Sequence, residues 1–179
     1  MCGIVGSVHI DPRRPGNHEL VHRMCDAITH RGPDAEGFHT GPQVGLGMRR
    51  LQVIDLETGA QPMSNETGTI QLVFNGEIYN YRELRTRLVN SGHQFKTQSD
   101  TEVIVHLYEE CGDNFVEQLR GMFAIALWDT TQRTLILARD RLGKKPLFYA
   151  QTSAGISFAS ELTALMLDPA IDSELDHVA

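Results

Sequence analysis

The sequence MFAIALW-DTTQR-TLILA occupies residues 122–138 and consists of two apolar runs on either side of a polar turn. Each run is rich in residues that favour extended backbone, and a link this short cannot carry a crossover connection. Residues 122–128 and 134–138 are therefore predicted to pair as neighbouring antiparallel strands.

More strands and three helices are predicted on both sides of this pair. The strands are Gly3–His9, Gly37–Thr40, Val44–Leu51, Ile70–Phe74, Phe148–Ala150 and Ile156–Ala159. One helix spans Asn17–Thr29, capped by Asn17; a second begins at Asn80 with a capping box to Glu83; the third begins at Asp100. Neighbouring strands joined by short loops favour antiparallel sheets, and such sheets need other elements packed on at least one face. The pattern predicts one α+β domain.

The composition narrows the class of protein. A chain of 179 residues, 41% hydrophobic and 22% charged, suits one globular domain. A net charge of −7 without a long basic run argues against binding nucleic acid or an anionic membrane. The sequence shows no signal peptide or membrane span. Three cysteines without a CxxC pair and eight scattered histidines favour a cytoplasmic protein with no metal site.

Cys2 is a candidate nucleophile because of its position. Met1 is generally removed when the next residue is small, and its removal would leave a thiol and a free α-amine on one residue. These two kinds of group ordinarily titrate at about 8.5 and about 8, so they can exchange a proton near neutral pH. That combination is a nucleophile with its own general base. On position alone, a small buried hydrophobe is the commoner role.

Three other positions are ambiguous when taken singly. Asn75-Gly76 most simply forms a hairpin turn, but in a sharp turn its side-chain amide and backbone N–H could stabilise an oxyanion. Arg50 is either a solvated strand-end residue or a clamp for a carboxylate. Asp100 is most simply a helix N-cap, or it binds a substrate ammonium.

Six motifs occur in the order seen in class II glutamine amidotransferases, which are N-terminal nucleophile enzymes. They are Met1-Cys2-Gly3-Ile4-Val5-Gly6, His30-Arg31-Gly32-Pro33-Asp34, Arg50-Leu51, Asn75-Gly76-Glu77-Ile78-Tyr79-Asn80, Ser99-Asp100-Thr101-Glu102-Val103 and Arg139-Asp140-Arg141-Leu142-Gly143. Alone, the second motif would be an ordinary loop and the last a salt-bridged surface turn. Over essentially its whole length, the chain resembles the N-terminal glutaminase domain of glutamine-hydrolysing asparagine synthetase and its relatives.

The resemblance implies a four-layer αββα sandwich of two antiparallel sheets and a set of residue roles. Cys2 would attack L-glutamine and form a thioester, while Asn75 and Gly76 would stabilise the oxyanion. Arg50 would bind the substrate carboxylate, and Glu77 and Asp100 its ammonium. Backbone groups of Leu51, Val53 and Ile54 would line the same pocket. His30 and Arg31 are expected to shape the pocket loop.

The resemblance also implies a partner. Residues 1–168 would be the glutaminase domain and 169–179 the start of a linker to an absent synthetase domain. ATP and Mg²⁺ are expected only there, with no cofactor in this domain, and homodimer formation stays open. Three alternatives also stay open: another ammonia acceptor, such as one in an exopolysaccharide system; a non-catalytic binding module; and a thiol amidase with a Cys–His pair.

Overall fold

The computed structural model describes residues 1–51, 59–172 and 174. Within them, the strands are β1 (Gly3–His9), β2 (Ala35–Thr40), β3 (Val44–Arg50), β4 (Met63–Ser64), β5 (Ile70–Ile78), β6 (Gly121–Asp129), β7 (Thr134–Arg139), β8 (Phe148–Gln151) and β9 (Gly155–Ala159). The helices are α1 (His18–Ala27), α2 (Tyr81–Asn90), α3 (Glu102–Cys111) and α4 (Leu162–Leu165). None of the helices described is long and apolar enough to cross a membrane.

The strands form two antiparallel sheets. One has five strands in the order β2-β3-β1-β9-β8, and the other has four in the order β4-β5-β6-β7. The pair predicted from residues 122–138 is β6 and β7, whose pairing runs from Ala124–Arg139 to Asp129–Thr134. β1, at the start of the chain, is the central strand of the larger sheet.

Three apolar cores separate four layers, so the predicted αββα sandwich is confirmed. Strand side chains alternate between faces, and both faces of each sheet are covered. In β1, Ile4 enters the core between the sheets, while Val5 enters the core beneath α1 and α4. In β5, Val73 faces the other sheet, while Leu72 packs beneath α2 and α3. Burial on both faces explains why these strands are apolar without a polar alternation.

Strand β5 is longer than predicted. The sequence predicts that this strand ends at Asn75-Gly76, but β5 continues to Ile78 in register with β6. A Cβ atom on Gly76 would collide with the carbonyl oxygen of Met122 in β6. The glycine therefore permits close approach of two strands rather than a reversal of the chain. Both turns considered for Asn75-Gly76, the hairpin and the sharp turn, are wrong.

One predicted helix cap is confirmed and two are wrong. The side chain of Asn17 accepts the N–H of Leu20 across 3.0 Å at the start of α1. Asn80 precedes α2 but makes no side-chain cap; it instead bonds the backbone on either side of Leu119. Asp100 does not cap α3, which begins at Glu102 after Thr101. The side chains of Asn80 and Asp100 join distant segments, which local sequence cannot reveal.

Candidate active site

The layer between the sheets changes from apolar to polar at one end. On β5, Asn75 and Glu77 occupy the same face as Val73, because they follow it at intervals of two residues. Asn75 is 1% exposed and Glu77 is half-buried. The strand therefore places an amide and a carboxyl group beside the other sheet.

The facing sheet contributes a thiol and a guanidinium by the same alternation. Arg50 follows Met48 on the inter-sheet face of β3, and Cys2 precedes Ile4 at the start of β1. The side chain of Cys2 packs against the edge of the inter-sheet core.

These side chains meet in one cavity of about 200 Å³. The predicted site residues that line it are Cys2, Arg50, Leu51, Asn75, Gly76, Glu77 and Asp100. Val53 and Ile54 lie outside the described residues. The structure thus brings together every predicted site residue that it describes, from four segments of the chain.

The sulfur of Cys2 is held against the backbone of Leu51. The N–H of Leu51 donates to Sγ across 3.4 Å, and the thiol lies 3.6 Å from the carbonyl oxygen of the same residue. A backbone donor is thus directed at the atom that must carry negative charge when the thiol loses its proton.

Arg31 holds the backbone of Cys2. Its Nε donates to the Cys2 carbonyl oxygen across 3.0 Å, and its Nη1 pairs with Glu161 across 2.9 Å. His30 bonds the same Glu161 carboxylate. Neither His30 nor Arg31 is among the described residues that line the cavity. The expectation that both shape the pocket loop is replaced by a contact of Arg31 with the backbone of Cys2 and a contact of His30 with Glu161.

Asn75 has an unused hydrogen-bond donor. Its Nδ2 is buried and has no partner among the described residues. Leaving a buried amide donor unpaired costs about 1–3 kcal/mol, so such a group is an expected feature of a site that binds an acceptor.

Asp100 is a buried carboxyl at the edge of the cavity. It is 5% exposed, and its Oδ2 accepts the N–H of Ile78 across 2.8 Å. Burial raises the pKa of Asp100, the Ile78 hydrogen bond opposes that shift, and the charge of Glu77 raises the pKa further. A cation placed between the two carboxylates would relieve this cost.

Sequence reasoning missed Lys145, a buried cation that lines the same cavity. It lies at the end of the turn predicted as salt-bridged. In the structure, Asp140 accepts the N–H groups of Lys144 and Lys145, and Arg139 donates to the carbonyl oxygens of Gly143 and Lys145. These backbone bonds fix the turn. The Arg139–Gly143 motif marked the segment, but nothing in it indicated that the neighbouring lysine faces the cavity.

Gln61 was also missed. Its Oε1 accepts the N–H of Phe74 across 2.7 Å, and its Nε2 lies 3.4 Å from the hydroxyl of Thr101. It therefore joins β5 to the segment before α3 at the wall of the cavity. No histidine is among the described residues that line this cavity.

Comparison with known proteins identifies the family. The sequence model of the glutamine amidotransferase domain family matches residues 1–179, and the chain belongs to this family. It is 47% identical over 171 residues to the glutamine-hydrolyzing asparagine synthetase 2 of Bacillus subtilis, covering 94% of this chain and 23% of that protein. Identity to asparagine synthetase 1 of the same organism is 44% over 179 residues, covering 97% and 28%. The resemblance inferred from the motifs is confirmed.

A solved structure supports the fold. The glutamine phosphoribosylpyrophosphate amidotransferase from B. subtilis, in complex with ADP and GMP, superposes with a TM-score of 0.71 at 24% identity. The match covers 93% of this chain and 43% of that one. The chain spans less than a third of the length of the two curated asparagine synthetases.

Proposed function

We propose that this domain hydrolyses L-glutamine to glutamate and ammonia, with Cys2 as the nucleophile once Met1 is removed. The observation that carries the proposal is the shared cavity of the Cys2 thiol and the buried, unpaired amide of Asn75. A nucleophile beside a preorganised donor is the arrangement that acyl transfer requires.

The charges of the cavity suit a free amino acid. Arg50 and Lys145 supply two cations, and Glu77 and Asp100 supply two carboxyl groups. A guanidinium can bind the substrate carboxylate through two parallel hydrogen bonds, and the carboxylates can bind the α-ammonium. Backbone groups around Leu51 would hold the side chain near Cys2.

The reaction would proceed in two stages. The free α-amine of Cys2 accepts the thiol proton, and the sulfur attacks the carboxamide carbon to form a tetrahedral oxyanion. The Asn75 amide and the Gly76 N–H would donate to that oxyanion. Its collapse breaks the C–N bond, and the ammonium of Cys2 returns its proton to the nitrogen, which leaves as ammonia. Water then hydrolyses the glutamyl thioester, releasing glutamate and the thiol.

Met1 stands in the way of this chemistry until it is removed. It lines the cavity, and the Nζ of Lys145 donates to its sulfur across 3.4 Å. Its removal would free the α-amine of Cys2 and leave the Lys145 cation to face the substrate.

The ammonia acceptor is proposed from the relatives. Because two of the relatives are glutamine-hydrolyzing asparagine synthetases, we infer that the ammonia passes to an ATP- and Mg²⁺-dependent synthetase domain. In this proposal residues 1–168 form the glutaminase domain and residues 169–179 begin the linker.

Covalent labelling tests the nucleophile. Incubation with the glutamine analogue 6-diazo-5-oxo-L-norleucine should add one label to Cys2 in protein that lacks Met1, as detected by intact mass and peptide mapping. Glutamine should protect Cys2 from the label. Labelling of another residue, or labelling that glutamine does not prevent, would overturn the proposal.

The other two cysteines provide controls. Burial raises the pKa of the Cys25 thiol to about 12, so that thiol should not react. Cys111 is half-buried and its sulfur accepts a hydrogen bond from Gln118. Cys111→Ser should keep the label, whereas Cys2→Ala should lose both the label and glutamine hydrolysis.

A further inference from the structure

The fold gathers two histidines and two glutamates at a second position, and none of the four is among the described residues that line the cavity. Among the described residues, Glu66, His93, His106 and Glu109 each offer one ligand atom, and these atoms all lie within 4.8 Å of one another. They come from the turn before β5, the segment after α2, and one face of α3. Their scatter along the sequence argued against a metal site, but the tertiary fold brings them together.

Three of the six distances between these ligand atoms are close to those of a tetrahedral metal site. Nδ1 of His106 lies 3.1 Å from Oε2 of Glu109 and 3.6 Å from Oε2 of Glu66. Nδ1 of His93 lies 3.6 Å from the same Glu109 oxygen. Ligand atoms bound to Zn²⁺ at about 2.0–2.1 Å in a tetrahedron are roughly 3.3–3.4 Å apart.

Both histidines direct their other ring nitrogen at a carboxylate. Nε2 of His93 lies 3.1 Å from Glu110, and Nε2 of His106 lies 3.7 Å from Glu102. His106 is 1% exposed, and at 3.7 Å from Glu102 its Nε2 makes no hydrogen bond among the described residues. Metal-binding histidines almost always donate their second N–H to such an acceptor, which fixes the tautomer and the ring orientation.

The two glutamates are held in the same way. Oε1 of Glu109 accepts from Nδ2 of Asn65 across 2.8 Å, and Oε1 of Glu66 accepts from the N–H of Gln94 across 3.1 Å. Each glutamate therefore has one oxygen fixed by the protein and the other directed into the cluster. Supporting contacts to all four side chains distinguish this cluster from a chance group of surface acids.

We propose that Glu66, His93, His106 and Glu109 form a binding site for a divalent transition-metal ion of the Zn²⁺ type. Two imidazole nitrogens and two carboxylate oxygens form a donor set that such ions accept. With neutral histidines the four ligands carry two negative charges, which a divalent cation balances. Because all four ligands come from the protein, the metal ion would have a structural role. It would join the turn before β5 and the segment after α2 to α3. The proposal does not depend on glutamine hydrolysis.

Cobalt provides a direct probe, since Co²⁺ enters zinc sites and gives visible d–d absorption there. Chelator-treated protein titrated with Co²⁺ should develop this absorption with one ion per chain, and Zn²⁺ should abolish it. His93→Gln and Glu109→Gln should each weaken Co²⁺ binding by more than the roughly 10- to 100-fold typical of an outer-shell change. Glu110→Gln, at an exposed position, should weaken it within that range. Circular dichroism checks the fold of each variant.

His18→Gln is the matched control. The rings of His18 and His22 lie 4.2 Å apart on α1, so they form a second histidine pair that could bind Co²⁺ adventitiously. The proposal requires His18→Gln to keep the tight Co²⁺ signal. Absence of stoichiometric binding, or binding lost in His18→Gln and kept in His93→Gln and Glu110→Gln, would overturn it.

Discussion

The guanidinium of Arg31 donates to the carbonyl oxygen of Cys2 across 3.0 Å, although Arg31 is not among the described residues that line the cavity. Glu161, just after β9, holds Arg31 in turn. The backbone of the proposed nucleophile is therefore fixed by an ion pair formed between distant parts of the chain.

Replacing Arg31 should impair positioning rather than binding. We expect Arg31→Met to lower kcat for glutamine hydrolysis by roughly 10- to 100-fold, because small displacements of a reacting group are costly, with a smaller change in KM. Steady-state kinetics measure both. His30→Gln, which removes the other partner of Glu161, serves as the control and should retain most of kcat. Equal losses in both variants would contradict a specific role for the Arg31–Cys2 contact.

The unpaired amide of Asn75 predicts a large effect on kcat. Asn75→Ala should reduce kcat by about 100-fold or more, the usual scale for losing one oxyanion donor. A near-normal kcat for this variant would refute the oxyanion assignment. Gly76 cannot be tested by a side chain, because a Cβ there would collide with β6.

Neighbouring arginines on opposite faces of β3 allow a matched comparison. Arg50 lines the cavity, whereas Arg49 pairs with Asp26 and Glu36. Arg50→Ala should raise KM for glutamine with little change in kcat if it binds ground and transition states alike. Arg49→Ala should lower the thermal midpoint of unfolding and leave KM nearly unchanged. A large loss of kcat at unchanged KM in Arg50→Ala would argue against carboxylate binding.

The buried carboxyl of Asp100 leads us to expect that KM for glutamine depends on pH. Because burial raises its pKa above the usual 3.8, Asp100 gains its proton earlier than an ordinary carboxyl as the pH falls. KM for glutamine should therefore rise as the pH falls through that raised pKa, where an ammonium loses its carboxylate partner. In Asp100→Asn, KM should be high at neutral pH and nearly constant over the same range.

The raised pKa of Asp100 also determines how this residue affects the stability of the folded state. The folded state binds the Asp100 proton more tightly than the unfolded chain does, so the ionised carboxyl costs stability above the folded pKa, and this cost disappears at low pH. Asp100→Asn should therefore unfold at the same or a higher temperature than the parent at neutral pH. A variant with a lower unfolding midpoint would show that the Ile78 hydrogen bond outweighs the burial cost.

The α+β class and most of the strands were predictable because they rest on local pattern, whereas the four-layer arrangement was expected only from the resemblance of the six motifs to a known family. Strands such as Gly3–His9 and the pair over 122–138 are apolar with turn residues between them, and both faces of each sheet are covered. The end of β5 was not predictable, since Asn-Gly has a strong local preference that pairing with β6 overrides. β4 has two residues, too few to show any period.

The residues gathered at the cavity were predictable from ordered motifs, while their supports were not. The contacts of Arg31 with Glu161, of Gln61 with Phe74 and of Asp140 with Lys145 depend on tertiary pairing. Side chains alternate between the two faces of a strand. If the predicted strand had been extended through Gly76, this alternation would have placed Asn75 and Glu77 on the same face as Val73. His93 and His106 became neighbours only through the packing of α3 on the segment after α2.

Because β1 pairs with β9, the larger sheet can be completed only after β9 has been synthesised. Ser160, directly after β9, exchanges hydrogen bonds with Ile4, two residues from Cys2. A ribosome must release nearly the whole described chain before these partners can meet. The segment that carries Cys2 therefore reaches its final position only after β9 has joined the sheet. If Cys2 is the nucleophile proposed above, glutamine hydrolysis must wait until β9 has joined β1.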